Sequence, residues 1–215
     1  MPELFDAILF SIIPLLIAII LHEISHGLVA YSLGDSTAKD AGRFKLHTHF
    51  DLYGSFLIPL GLFLAKSHFL IGYAKPVPVD PRNFKDPITD MALVAIAGPI
   101  CNILLALLSA FIMQKFIPTS YFIQKFLVHF IVINLVLFFF NLIPIPPLDG
   151  SRILAAMLPV RYLDTFYSLE NLGFFIIMGI EFVCQFVSRL IGTDIGIFSS
   201  FIKPAVYGSL KILLY

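Results

Sequence analysis

The chain has 215 residues, 59% of them hydrophobic and 13% charged, with a formal net charge of zero, and its mean hydropathy is +0.93. Those values exclude a single soluble domain and put the chain among multi-pass membrane proteins, with the lipid bilayer as its surroundings. Charge that is balanced and nowhere collected into a basic block argues against nucleic acid as a partner.

The start, Met1 to Asp6, lacks the positive stretch of a cleavable signal peptide, so the first helix is expected to stay in the mature protein. From Ala7 to Leu33 the chain is almost wholly apolar, and about 20 such residues span a bilayer as a helix. Inside this run stands His22-Glu23-Ile24-Ser25-His26. On a helix, His22 and His26 share one face. Two imidazoles at that spacing bind one zinc ion, and the neighbouring Glu23 is placed to act as general base. Two buried histidines satisfied by hydrogen bonds would be the structural alternative. An unpaired Glu at membrane depth is costly, which favours the functional reading.

From Phe44 to Leu52, apolar residues alternate with Lys45, His47, His49 and Asp51. A period of two predicts a strand or hairpin over 40–53. His47, His49 and Asp51 would then share a face, either as metal ligands or as exposed interfacial residues. Residues 52–65 are apolar, but the stretch is short and carries Gly54, Pro59 and Gly61, so 52–74 is expected to enter the membrane and return without crossing. Helices are predicted over 89–113, 123–143 and 170–191, with a weaker one over 195–215 that contains Lys203, Pro204 and Lys211. Cys101 and Cys184 lie in apolar segments and read as small core residues. The expected fold is an all-α multi-pass membrane protein. It has about five transmembrane helices and a re-entrant hairpin or short helix between the first and second core helices. Residues 1–158 form the core, and 159–215 are C-terminal transmembrane helices.

A catalytic zinc site takes three protein ligands and a water. The chain has only four Glu and ten Asp, and in apolar surroundings past the first helix the candidates are Asp149 and Glu181. Arg189, two helical turns on, gives Glu181 a structural partner. Asp149 follows Pro144, Pro146 and Pro147, which end the preceding helix and are expected to hold the chain extended. Its structural alternative is to cap a short helix over 150–158. Glu3 and Asp6 precede the first helix, and Lys39, Arg43 and Lys45 follow it, so the histidine end is expected to face the cytoplasm. If Asp149 joins the histidines, residues 75–88 lie on that same side.

These residues resemble the site-2 protease family of intramembrane zinc metalloproteases. His22-Glu23-x-x-His26 is similar to the family's metal and base motif, and Asn141-x-x-Pro144-x-Pro146-x-Leu148-Asp149-Gly150 to its second signature. Gly98-Pro99-x-x-Asn102 matches a short motif of the intervening helix. Gly72-Tyr73-Ala74-Lys75-Pro76-Val77-Pro78-Val79 and His49-Phe50-Asp51-x-Tyr53-Gly54 look like the compact bacterial subgroup. Where compact relatives often carry Asn-Pro, this chain has Lys45-Leu46.

The resemblance implies that His22, His26 and Asp149 hold one zinc ion per chain and that Glu23 moves the proton between water and the leaving nitrogen. The substrates would be transmembrane segments of other membrane proteins, cut in a bacterial inner membrane near its cytoplasmic face. Asn102 and Asn141 are candidates for contacting substrate, or for interhelix hydrogen bonds. A metal-ion transporter would instead string polar ligands across the bilayer, and an inactive scaffold would have no need of Glu23.

Overall fold

The computed structural model describes residues 2–58, 60–61, 74–116, 120–193 and 195–214. Among them every regular element is helical. The first is continuous: α1 (Pro2–Ala7) passes through a π turn (Ile8–Ile12) into α2 (Ile13–Ser32). Pro14 explains the π turn. It has no N–H for the ladder, and its ring crowds the carbonyl one turn back, so the turn widens there.

Among the described residues three helices are long and apolar enough to cross a membrane: Phe5–Ser32, Pro87–Phe116 and Tyr121–Asn141. The last two are α4 and α5; the short α3 (Thr37–Asp40) precedes them. α4 is the central helix, packing on α2, on α5 and on α6 (Asp149–Ala155). One face of α4 carries Ala95, Gly98, Asn102, Ala106 and Ser109, all small or polar and all buried. The opposite face carries Leu93, Ile100, Leu104, Leu107 and Phe111, all exposed. Small residues inside and large apolar residues outside are what a bilayer demands, because close backbone approach replaces the hydrophobic drive between helices.

The predicted spans agree with α2, α4 and α5, and residues 170–191 form α8 (Glu170–Ile191) after a short α7 (Leu163–Ser168). α8 ends on Gly192 in the left-handed conformation at φ 71°, a conformation that glycine adopts readily. Residues 198–214 are continuously helical, a π turn (Phe198–Ile202) passing into α9 (Lys203–Leu214). Ile202 and Val206 pack there against Ala106 and Ala110 of α4 and Ile131 and Leu135 of α5. Glu181 accepts from the Ile197 amide at 3.0 Å, so its partner is this turn and not Arg189.

Two local expectations are corrected. Residues 40–53 hold no strand; they contain a 3₁₀ turn (Leu46–His49) after an irregular stretch. His49 is buried while Leu46 and Phe50 are exposed. Side chains here bond to nearby backbone in place of a ladder: Thr48 Oγ donates to the Lys45 carbonyl at 2.7 Å, and Arg43 donates to the Thr48 carbonyl. His49 and Asp51 consequently share no face, and Asp51 accepts from the Tyr53 and Gly54 amides at the start of a π turn over Leu52–Leu57. Residues 142–148 are not extended either. They fold into consecutive turns, one closed by the Leu148 amide on the Ile145 carbonyl at 3.0 Å around a cis Pro146–Pro147 bond.

The expected re-entrant segment falls largely on residues outside those described. Its flanks are described, and they meet: the Lys75 amide donates to the His49 carbonyl at 2.9 Å. Asp35, just past α2, accepts from the Asp80 amide at 2.9 Å and from Asn83 Nδ2 at 2.7 Å. The strip from Ala74 to Asn83 is therefore tied to the C-terminal end of the first helix. Ala74 itself packs on Leu15 and Ile19, within reach of Ile133 and Leu137.

Candidate metal centre

α2 presents His22 and His26 one turn apart, both buried, toward α4. Their rings meet edge to face with centroids 4.6 Å apart. His22 Nδ1 lies 2.6 Å from Asn102 Oδ1, and His26 Nδ1 lies 2.7 Å from the Val94 carbonyl oxygen. Both Nδ1 partners are acceptors, so each Nδ1 carries a proton, and in the neutral imidazole each Nε2 has a lone pair. The two Nε2 atoms nevertheless face each other at 3.0 Å.

Asp149 brings a third electron-rich atom to the same point. As the first residue of α6 it does not cap its own helix. Its Oδ2 lies 3.2 Å from His22 Nε2 and 3.5 Å from His26 Nε2, buried and without a hydrogen-bond donor. With both imidazoles neutral, three acceptor atoms converge here and repel one another unless a cation joins them. Zinc bonds of about 2.0–2.2 Å in tetrahedral array put ligand atoms about 3.3–3.6 Å apart, close to the three separations here. This trio is the group of His, Cys, Asp and Glu with metal-ligand spacing among the described residues.

Two glycines let the elements come this close. A Cβ on Gly98 would lie 2.5 Å from His26 Nε2 and 2.6 Å from His22 Nε2, inside the space of the site. A Cβ on Gly150 would meet the Leu142 carbonyl oxygen and lie 2.7 Å from that of Ile143, so glycine after Asp149 lets α6 seat against the turns that precede it. A Cβ on Gly173 would likewise strike the Pro146 carbonyl, which brings α8 against the same turns.

Glu23 lies on the same helix between the histidines, and its Oε2 accepts from the Val77 amide at 2.8 Å. Asn102 is fully buried, and both ends of its amide are used inside the protein: Oδ1 faces His22, and Nδ2 donates to Asn134 Oδ1 at 2.9 Å. Of the two roles the sequence leaves open for it, these bonds are those of an interhelix residue. Asn141 donates to the Leu137 carbonyl of its own helix at 3.0 Å and makes no hydrogen bond to His22, His26 or Asp149. His49 stands apart from the trio, bonded to the carbonyls of Arg43 at 2.6 Å and Lys75 at 3.1 Å, and His47 is exposed.

Sequence reasoning misses Asn134, Val94 and Val77 as parts of the site. Asn134 has a signal, being an amide in an apolar helix. Val77 has a fainter one, as the single N–H between two prolines. The Val94 carbonyl has none.

Outside the membrane-spanning helices, two carboxylates that anchor the strip from Ala74 to Asn83, Asp35 and Asp80, are held below the ordinary carboxylate range. Burial pushes the Asp35 carboxyl up, but hydrogen bonds from Thr37, Asn83 and the Asp80 amide outweigh it and leave the group below its ordinary range. Hydrogen bonds from Arg82 hold Asp80 down at about 2.

The model of peptidase family M50 matches residues 10–122 and 113–180. The chain is 37% identical over 191 residues to YwhC of Bacillus subtilis, which is named as a candidate zinc metalloprotease; the match covers 84% of this chain and 81% of that one. It is 41% identical over 75 residues to MJ0611 of Methanocaldococcus jannaschii, a protein of the same description, covering 33% of this chain and 38% of that one. No solved structure gives a significant match. Since the family model extends over most of the chain and takes in the first helix, the central helix and the turns that carry Asp149, the chain belongs to peptidase family M50.

Proposed function

We propose that the protein hydrolyses peptide bonds in the transmembrane segments of other membrane proteins, with one zinc ion held by His22, His26 and Asp149 and with Glu23 as general base. It is an integral membrane protein and a zinc metalloprotease of its family; the assignment of roles to residues is our reading. The observation that carries it is the convergence of two imidazole lone pairs and an undonated carboxylate oxygen, from helices far apart in sequence, beside an ionisable Glu.

Zinc bound there supplies Lewis acidity, which acidifies a water and polarises the scissile carbonyl. The remaining chemistry belongs to the chain. Glu23 takes the proton of the attacking water at its carboxylate and gives it to the departing amide nitrogen, so that it ends each cycle as it began. The Val77 amide fixes one oxygen of that carboxylate. Asn102 and the Val94 carbonyl keep each imidazole in the tautomer whose Nε2 points inward. Asn141, at the end of α5 where the turns leading to Asp149 begin, is our candidate for contacting the substrate backbone.

We place the centre nearer the cytoplasmic face of a bacterial inner membrane, because Lys39, Arg43 and Lys45 follow α2 at the metal end. We read residues 52–74 as entering and leaving on that side, which the bond between His49 and Lys75 supports. Residues 1–158 are then the catalytic core, and α8 and α9 complete about five membrane helices.

The test is cleavage of a model transmembrane substrate by the purified protein in detergent. Chelation should abolish cleavage and zinc should restore it, and Glu23→Gln should bind zinc without cutting. Undiminished cleavage by Glu23→Gln would remove Glu23 from the mechanism.

A further inference from the structure

We infer that Asn134 is a positioning residue of the metal centre, setting through Asn102 the tautomer in which His22 meets the metal. The inference rests on the proposed zinc site and adds a residue to it that no motif marks.

Asn134, Asn102 and His22 form a relay across α5, α4 and α2. Asn134 Nδ2 donates to the Phe130 carbonyl at 2.8 Å, Asn102 Nδ2 donates to Asn134 Oδ1 at 2.9 Å, and His22 Nδ1 meets Asn102 Oδ1 at 2.6 Å. Asn102 and Asn134 have no exposed surface at all. The relay can run in only one sense. A backbone carbonyl accepts and cannot donate, so the nitrogen end of Asn134 must face Phe130. Its oxygen end must then face Asn102, which must answer with its own nitrogen. The oxygen of Asn102 is thereby turned to His22, whose Nδ1 must carry the proton. Nε2 is left with the lone pair that the site needs. Remove Asn134 and nothing in this chain of bonds stops the Asn102 amide from turning over, which would present N–H to Nδ1 and move the proton to Nε2.

An interhelix bond whose only task is to glue α4 to α5 would affect stability and nothing else. The discriminating measurements are therefore the zinc dissociation constant, by competition with a chromophoric chelator, and the His22 tautomer, by ¹⁵N chemical shift in the zinc-free protein. Asn134→Leu should weaken zinc binding about tenfold, the lower end of the range for outer-shell partners of a ligating histidine, and should raise the Nε2–H tautomer of His22. In an Asn102→Leu background the same change should have no further effect. Asn134→Asp, neutral at this depth with its O–H donating to the Phe130 carbonyl, keeps an oxygen facing Asn102 and should bind zinc within about threefold of the parent; it also serves if Asn134→Leu does not fold. Unchanged affinity and tautomer in Asn134→Leu would overturn the inference. So would an equal loss in the Asn102→Leu background, or a loss in Asn134→Asp as large as that in Asn134→Leu. If the parent protein binds no zinc, the proposed function fails instead, and the tautomer measurement still decides the relay.

Discussion

The Val77 amide donates to Glu23 Oε2 at 2.8 Å, joining the residue between the two histidines to a strip that lies beyond the first helix. Flanked by Pro76 and Pro78, Val77 is the only residue of the three with an N–H to give. The same strip is pinned on either side, by the Lys75 amide on the His49 carbonyl and by the Asp80 amide on Asp35. The orientation of the Glu23 carboxylate, the proposed base, thus depends on how this proline-rich strip is anchored.

Val77→Pro deletes that donor, and Val77→Ala keeps it while trimming the side chain. A hydrogen bond to a carboxylate contributes about 1.5–3 kcal/mol, and about 1.4 kcal/mol is a tenfold change in rate. Cleavage by Val77→Pro should fall at least about tenfold at unchanged zinc content, with Val77→Ala close to the parent. Equal turnover in the two variants would show that the amide does not orient Glu23.

Gly98 supports a second prediction, because a methyl group there has nowhere to go but into the site, at 2.5 and 2.6 Å from the two Nε2 atoms. Gly98→Ala should push the imidazoles apart and weaken zinc by at least about tenfold, with an overpacking cost of about 1–3 kcal/mol. The control is Gly179→Ala in α8, where a Cβ meets nothing within 4 Å. Zinc titration of both variants, with their melting temperatures, separates a blocked site from a general loss of fold. Parent-like affinity in Gly98→Ala would count against the assignment of the two histidines as a pair of ligands.

The parts of this site that the sequence reveals share one trait: they are side chains whose spacing is set by local structure. His22 and His26 meet because one helical turn separates them, whatever the rest of the chain does. Asp149 is legible through its proline-rich setting, yet its arrival beside the histidines depends on α4 packing between α2 and α6. The Val94 carbonyl is a backbone group like any other and carries no signal, and the Val77 amide carries only the faint one of standing between two prolines. The alternation from Phe44 to Leu52 misleads for a physical reason. A period of two reports a strand only where a neighbouring strand accepts its hydrogen bonds, and here Thr48, His49 and Asp51 bond to nearby backbone instead.

The meeting of His49 and Lys75 makes a prediction about topology. With Cys101 and Cys184 replaced, single cysteines at Lys45 and at Lys85, both exposed, should react with a membrane-impermeant maleimide from the same face of sealed vesicles. A cysteine at Tyr121, at the far end of α5 and 76% exposed, should react from the other face. Labelling of Lys45→Cys and Lys85→Cys from opposite faces would mean that 52–74 crosses the membrane, and the proposed re-entrant path would be lost.

Asp35 gives the last prediction, in which pH and the anchoring of the strip are linked. Its buried carboxylate accepts from Asn83, from the Asp80 amide and from Thr37, and these bonds hold its pKa below the unfolded value. A carboxyl depressed on folding stabilises the protein above its unfolded pKa, about 3.9, and that stabilisation is lost as pH falls through the folded value. Asp35→Asn should therefore be less stable than the parent at neutral pH by about 1.5–3 kcal/mol, the scale of a hydrogen bond to a charged group. The gap should hold from pH 7 down to about 5 and then narrow below about 4. Melting temperatures of the two proteins, taken zinc-free across that range so that metal release does not contribute, would reveal it. A gap that stays constant into the acid range would mean that the Asp35 charge does not tie the strip to the end of α2.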